Sequence, residues 1–252
     1  MKSFIKRILQ SLLGFERYLY WFAYFKIKTL KTDTNENDFF TFLKKLPEEG
    51  IVLDIGANLG VMTYYLSKKI KKGKIIAFEP LEINFNVLKK IIHYFKLGNV
   101  EVKEVALGEN SGELEMILPV IDHVKMHGLS HVKNKNFNEF TQGITYTVSV
   151  KKLDNFYHDL NSSGVVTGIK LDAENYEYQI LKGGLQLLTT DKPMIYCELW
   201  DNQNRRDCIE FMLSIGYGTF VNIQGELVPF DVQIHRTQNF FFIYIERKEY
   251  KV

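Results

Sequence analysis

The sequence predicts an α/β fold, doubly wound, in which a mostly parallel sheet is covered by helices on both faces. Three observations support this fold class. From residue 50 onward, short apolar runs alternate with longer runs of helical periodicity through five units. The first short run, residues 50–55, is almost continuously apolar, as expected of a strand covered on both faces. The last two strands are separated by a long turn, so we expect them to pair antiparallel.

The predicted strands are short apolar runs that end at turn residues or charges. They cover residues 50–55, 74–78, 100–106, 113–118, 145–150, 165–171, 194–198, 219–223 and 239–245. Residues 108–112 have the composition of a turn, and residues 119–143 are expected to be irregular.

The predicted helices repeat apolar residues every three or four positions. They cover residues 2–30, 58–70, 82–95, 176–188 and 204–215. Lysines around the end of the second helix suit the negative end of its dipole, and Gly73 stops it.

Composition is that of an ordinary globular domain, with 46% hydrophobic and 25% charged residues, and it excludes disorder and collagen. Cys197 and Cys208 form neither a CxxC pair nor a disulfide framework, so we expect a reducing, cytoplasmic location. No uncharged run approaches the roughly 20 apolar residues of a membrane span.

Charge divides the chain into two unlike parts. Residues 1–31 hold seven Lys or Arg and one acid, Glu16, whereas the rest holds 25 bases and 29 acids. The net negative charge of residues 32–252 argues against nucleic-acid binding. We therefore predict a basic, aromatic helical leader with its linker at 1–38 and one α/β domain at 39–252. The leader has two interpretations: a helix packed on its own domain, or a helix that contacts the inner face of a membrane or a partner.

A glycine-containing loop follows the first strand, from Asp54 to Gly60. Gly56 and Gly60 allow a tight turn and close approach to a ligand, but the spacing lacks the three glycines of the dinucleotide fingerprint. A carboxylate at Asp54 repels a pyrophosphate and attracts a ligand with an ammonium and a sulfonium group, such as S-adenosylmethionine. The alternative is that Asp54 caps the following helix.

The second strand ends at Glu79-Pro80, 25 residues after Asp54. An acid at this place can accept hydrogen bonds from both ribose hydroxyls of a nucleoside. Since NAD and S-adenosylmethionine both carry that ribose, Glu79 supports a nucleoside pocket without choosing between them.

Six motifs that follow in order carry a resemblance to a known family. They are VLDIGANLG (52–60), AFEP (77–80), VALGENSG (105–112), VSVKKLD (148–154), IKLDAENYEYQILKG (169–183) and NFFFIYI (239–245). Over about residues 48–245 the chain resembles the FkbM-type S-adenosylmethionine-dependent methyltransferases. The resemblance implies a seven-stranded Rossmann-like methyltransferase sheet with an antiparallel C-terminal pair. One departure is Asn175, which stands where the family has glycine, although Asn tolerates the left-handed backbone.

The resemblance also implies which residues hold S-adenosylmethionine. The loop after the first strand is expected to hold the methionine part, Glu79 the ribose, and residues 104–107 the adenine. The expected cofactor residues are Asp54, Gly56, Ala57, Asn58, Gly60, Glu79, Pro80, Glu104 and Ala106.

Methyl transfer to an alcohol needs in-line positioning and a base near the hydroxyl proton. We predict that Asp172, Glu198 and His131 are catalytic and that Glu174, Asn175 and Ser130 bind the acceptor. Helix capping by Asp172 and a buried structural pair at Glu198 are the alternatives.

A stretch from Asp122 to His131 contains histidines at 123, 127 and 131. On a helix this spacing would align metal ligands, but Gly128 weakens the helix, and no metal is predicted. Acceptor recognition, a general base and a plain solvated loop remain the interpretations of this stretch.

These residues lead to the hypothesis of O-methylation of a sugar, glycan or secondary-metabolite hydroxyl. The rivals are an NAD-dependent oxidoreductase on the same fold and a non-catalytic nucleoside-binding scaffold. The acceptor and the oligomeric state are not predicted.

Overall fold

The structure, a computed structural model, describes residues 2–133 and 142–245. The described helices are α1 (Lys2–Leu13), α2 (Phe15–Thr29), α3 (Asn37–Lys45), α4 (Val61–Lys69), α5 (Glu82–Tyr94), α6 (Asp154–Ser163), α7 (Glu177–Lys182), α8 (Leu185–Thr190) and α9 (Gln203–Ser214). The described strands are β1 (Glu49–Ile55), β2 (Lys72–Phe78), β3 (Val100–Lys103), β4 (Ala106–Leu107), β5 (Gly112–Ile121), β6 (Val124–Lys125), β7 (His131–Val132), β8 (Gly143–Lys151), β9 (Val166–Leu171), β10 (Met194–Glu198), β11 (Tyr217–Ile223), β12 (Glu226–Pro229) and β13 (Asn239–Tyr244).

The main sheet has the order β12-β11-β13-β10-β9-β1-β2-β3. Neighbours from β10 to β3 are parallel, and β13 pairs antiparallel with both β10 and β11. The predicted fold class is therefore confirmed. The sheet has one edge strand more than expected, β12, because the chain reverses through Gln224 and Gly225, both at positive φ, and pairs with β11.

Alternate residues of the central strands pack on opposite faces of the sheet. Leu53 and Ile76 belong to the core formed with α6 to α9, whereas Val52 and Ile75 belong to the core formed with α3 and α4. This two-sided burial explains why the strands are apolar runs without alternation.

The leader is two helices and not one, because Gly14 has a φ of 76° and breaks the predicted helix. α2 buries Tyr18, Leu19, Ala23 and Ile27, in a cluster shared with α5. The predicted linker forms two 3₁₀ turns that lead into α3, which the sequence analysis did not predict. The domain boundary after residue 38 stays a prediction. Among the described residues, no helix has the length and apolarity needed to cross a membrane.

A second, smaller sheet has the order β4-β8-β5-β6, with β7 also paired to β5. The single strand predicted at 100–106 is divided, since β3 ends the main sheet and β4 joins the smaller one. The stretch expected to be irregular contains β6, a 3₁₀ turn and β7, and its residues 134–141 lie outside the described part. The helix predicted at 176–188 is divided at Gly183 and Gly184 into α7 and α8.

Candidate active site

The carboxyl ends of β1, β2, β9 and β10 meet at one edge of the main sheet, where two adjoining clefts open. The order of the sheet reverses between β1 and β9, which is where open α/β sheets bind ligands. Gly56 has a φ of 72°, and a Cβ on it would lie 1.8 Å from the main-chain oxygen of Asp172. Only glycine therefore lets these two loops touch. The residues that border both clefts are Gly56, Asn58, His127, Gly128, Asp172 and Glu174.

The first cleft combines an apolar wall with acidic side chains. The acids are Glu79, Asp172 and Glu174, and none of the described residues that line this cleft is Lys or Arg. These carboxyl groups suit a cationic nucleoside, and the described lining residues offer no positive charge to a pyrophosphate. The apolar wall is formed by Phe78, Leu81, Val105, Ala106, Leu107, Met116 and Ile180.

Glu79 lines the first cleft at the end of β2 and is 4% exposed. It accepts hydrogen bonds from the backbone N–H groups of Asn58 (2.8 Å) and Leu81 (3.0 Å) and from the Asn84 amide (3.3 Å). Burial raises the pKa of this carboxyl to about 7, although these hydrogen bonds oppose the shift. The group is therefore fixed in orientation and titrates near neutrality.

Asp54 is fully buried and is not among the lining residues of either cleft, although we expected it at the mouth of the site. One of its oxygens, Oδ2, accepts a hydrogen bond from the Thr63 hydroxyl at 2.6 Å. The other, Oδ1, lies 3.5 Å from the Lys170 ammonium. Its predicted contact with the cofactor stays a prediction.

Lys170, on β9, is a buried cation that the sequence analysis did not assign. Its ammonium donates to the main-chain oxygen of Gly56 at 2.8 Å and lies 3.6 Å from Asp172 Oδ2. Burial by itself would lower the pKa of Lys170, but Asp172, Asp54 and Glu198 outweigh burial and hold the pKa above its ordinary value. In the sequence, Lys170 is recognisable as a positive charge inside the apolar run 165–171, and a buried charge needs partners.

The second cleft is lined by Lys170, Asp172, Glu174 and Glu198 on the sheet side. Its other side includes residues of the leader, which was not predicted to take part in the site. They are Phe22, Lys26, Leu30 and Glu36. Lys26 forms ion pairs with Asp33 (2.6 Å) and Glu36 (3.4 Å), so the leader wall is held together by charge.

Glu174 and Glu198 both have a raised carboxyl pKa. Burial is the main cause, and the nearby carboxylate of Asp172 adds to it. Crowded acids of this kind hold protons at a higher pH than free carboxyls. The pKa of Glu198 is raised to about 7, so this group can exchange a proton with a bound ligand near neutrality, whereas the pKa of Glu174, about 9, keeps that group protonated there.

His127 and His131 occupy different places. The ring of His127 borders both clefts, with Nδ1 3.3 Å from Asn58 Oδ1, and burial lowers its pKa to about 4. His131 lies on β7, is 3% exposed and lines neither cleft, which does not agree with its predicted catalytic role. In the described ranges, 2–133 and 142–245, no three His, Cys, Asp or Glu side chains come together as a metal site.

The turn after β9 is held by Glu177, the last acid of its motif. Its Oε1 accepts hydrogen bonds from the backbone N–H groups of Ala173 (2.9 Å) and Asn175 (3.2 Å). Glu174 and Asn175 have φ values of 48° and 73°, so Asn175 adopts the left-handed backbone expected of the family's glycine. Its side-chain oxygen accepts from the Asn202 amide, and it borders a separate depression beside the first cleft.

The remaining predicted residues divide into two groups. Gly60 and Glu104 line neither cleft: Gly60 begins α4 with a φ of 82°, and the Glu104 side chain is exposed. Those at the clefts are Ala57, Asn58, Pro80, Ala106 and Ser130.

Comparison with known proteins identifies the family of the chain. The family model described as "Methyltransferase FkbM domain" matches residues 54–226, which is more than half of the chain. Methyltransferase sdnD of Sordaria araneosa is 23% identical over 221 residues, covering 76% of this chain and 84% of that protein. Methyltransferase 1 of Beauveria bassiana is 22% identical over 151 residues, covering 54% of this chain and 59% of that protein.

Among solved structures, the FkbM methyltransferase of Methylobacillus flagellatus KT superposes with a TM-score of 0.53 at 18% identity. The match covers 78% of this chain but only 44% of that one, so it supports the fold alone. The family match, the acidic first cleft and the resemblance of the motifs lead to one conclusion. The chain belongs to the FkbM family of methyltransferases, which use S-adenosylmethionine as their cofactor.

Proposed function

We propose that this protein methylates a hydroxyl oxygen of a sugar, a glycan or a secondary metabolite. One observation carries the proposal: Asp172 borders both clefts, so molecules bound in the two clefts would meet at its carboxylate. The second cleft is polar on its sheet side, with three carboxylates and the Lys170 ammonium, which suits an acceptor rich in hydroxyls.

The first cleft would hold the cofactor. Glu79 would accept hydrogen bonds from its ribose, the apolar wall would contact its adenine, and Asp172 would face its positive charges. The bound cofactor supplies an electrophilic methyl group. The absence of Lys and Arg among the described lining residues favours this ligand over NAD, whose pyrophosphate is dianionic.

The second cleft would orient the acceptor and receive its proton. Glu198 lines this cleft, and its raised carboxyl pKa makes its ionised form a proton acceptor matched to neutral pH. Glu198 would accept the hydroxyl proton of the acceptor when the methyl group is transferred. Asp172, held by Lys170, positions the acceptor between the clefts.

The test is methyl transfer from labelled S-adenosylmethionine to fractionated sugars, glycans and small metabolites of the host, with the methylated atom assigned by NMR. We expect an O-methyl product, and Glu198→Gln lowers kcat by about 100-fold or more because the proton acceptor is lost. The control, Glu210→Gln on the exposed face of α9, leaves kcat unchanged. Methylation of carbon or nitrogen, or stabilisation by NAD and not by S-adenosylmethionine, contradicts the proposal.

Cofactor affinity is expected to depend on the ionisation of Glu79. Hydrogen bonds to a charged group are worth about 1.5–3 kcal/mol each, so Glu79→Gln should weaken S-adenosylmethionine binding at least tenfold at pH 8. Since the Glu79 pKa is about 7 and the ionised form is the better acceptor, wild-type affinity should fall as the pH is lowered through 7. The variant should lose this dependence.

Isothermal titration calorimetry between pH 6 and pH 8 measures both effects (values chosen about one unit either side of that pKa). Glu82→Gln, an exposed acid three residues further along, is the matched control and should bind as the wild type does. An unchanged affinity in Glu79→Gln would remove the ribose assignment.

A further inference from the structure

An apolar face that no element of the described residues covers lies on α1 and α2. Leu12 is 77% exposed and Phe25 60%, and they are accompanied by other large apolar side chains at helical spacing. The face consists of Ile5, Ile8, Leu9, Leu12, Leu13, Trp21, Phe22 and Phe25, and we call it the leader face. Exposed apolar side chains that are contiguous mark an interaction surface.

The leader face is held in place by the domain. The side chain of Gln10 donates to the main-chain oxygen of Lys125 and accepts from its N–H, both at 3.1 Å, and thereby joins α1 to β6. The Lys125 ammonium lies 4.8 Å from the centre of the Phe15 ring, at the start of α2. The two helices therefore present their apolar side chains as one oriented surface.

The charge of the leader indicates what kind of partner binds the leader face. The first 31 residues carry seven bases and one acid, Glu16, whose carboxylate is already paired with Lys90 at 2.5 Å. Arg7, Arg17, Lys28 and Lys31 are exposed. Two further bases, Lys6 and Lys26, line the groove of the leader face. A second copy of the chain would bring two basic leaders together, whereas an anionic surface would neutralise their charge.

The leader face also adjoins the second cleft. A groove between α1 and α2 is lined by Ile5, Leu9 and Leu13 on one side and by residues of α2 on the other. Phe22 and Lys26 line both this groove and the second cleft. A surface that covers the groove therefore lies at the entrance of the cleft.

We propose that the leader face docks the protein on an anionic lipid bilayer. Its apolar side chains enter the boundary between headgroups and acyl chains, and its basic side chains contact the lipid phosphates. The cleft then opens at the headgroup region, so an acceptor anchored in the membrane would reach it without leaving the bilayer. That consequence for the acceptor rests on the proposed function, whereas docking itself does not.

The test is cosedimentation of the full-length protein with vesicles of phosphatidylcholine alone or mixed with phosphatidylglycerol. We expect binding to the mixed vesicles at low salt, weaker binding at high salt, and little binding to phosphatidylcholine alone. The double variant Leu12→Glu with Phe25→Glu should lower the partition coefficient at least tenfold, since it replaces two apolar contacts by acids. Leu213→Glu, an exposed apolar residue on α9 at the opposite face of the sheet, should bind vesicles as the wild type does.

Cofactor affinity, measured on the same samples, separates docking from folding and from the proposed function. It should be equal in the wild type and both variants, because no substituted residue lines the first cleft. Absence of binding to anionic vesicles, or equal binding by the double variant, overturns the proposal. A dimer that the double variant dissociates also overturns it, because the face is then an interface between two copies.

Discussion

Lys170→Met is expected to destabilise the protein by about 3–5 kcal/mol and to abolish tight cofactor binding. The Lys170 ammonium is buried between Asp54 and Asp172, and its removal leaves the fully buried Asp54 and the partly buried Asp172 without a counter-charge. Since the pKa of Lys170 is raised, its contribution is complete at every pH below its ordinary pKa and is lost only as the pH rises through the raised value. The full effect is therefore present at neutral pH.

Urea unfolding at several pH values measures this prediction. The difference in the free energy of unfolding between the wild type and the variant should shrink as the pH is lowered, because the unpaired carboxylates then take up protons. Lys90→Met is the matched control: it removes an exposed ion pair with Glu16 and should cost about 1 kcal/mol at most. If both variants lose the same free energy of unfolding, the buried cation contributes no more to stability than a surface charge does.

Asp172→Asn is expected to lower kcat/KM by about 100-fold or more, with a smaller effect on stability. The carboxylate borders both clefts and pairs with Lys170. Its neutral isostere loses the negative charge and the ion pair that orients this side chain between the two clefts. Misplacement of reactants by about 1 Å costs a factor of this size. Steady-state kinetics with the identified acceptor and calorimetry with the cofactor separate the loss of catalysis from the loss of binding.

Asp191→Asn provides a control that involves the other end of β9. Asp191 accepts hydrogen bonds from the Val166 N–H at 2.7 Å and from the Tyr157 hydroxyl at 3.1 Å. We expect this variant to lose stability and keep its kcat. If Asp172→Asn behaves in the same way, Asp172 has a structural role and the helix-capping alternative gains support.

The order of strands and helices was readable because burial on both faces demands apolar runs, and because helices on a core repeat every 3.6 residues. α3, α6 and β12 were not predicted, and the breaks at Gly14 and at Gly183–Gly184 depend on backbone conformations that the apolar pattern does not report.

At the site, Glu79 and Asp172 were found because both follow predicted strands, and parallel strands bring their carboxyl ends to one edge. Lys170 was missed because a single charge in an apolar strand does not reveal its partners. The catalytic role of His131 stays a prediction, but the fold brings His127 and not His131 to the clefts, which a spacing of four residues does not reveal.

The fold class and the family could be predicted from the sequence, because they follow from periodicity and from motifs at strand ends. The burial of Asp54 against Lys170 and the place of the leader in the wall of the second cleft became known from the three-dimensional structure. Contacts of this kind join residues more than 100 positions apart, as Lys170 and Asp54 are. Asp54 and Lys170 meet because β1 and β9 pair in parallel with these two residues in register, and the leader reaches the second cleft because it packs against the domain. No local pattern encodes either arrangement.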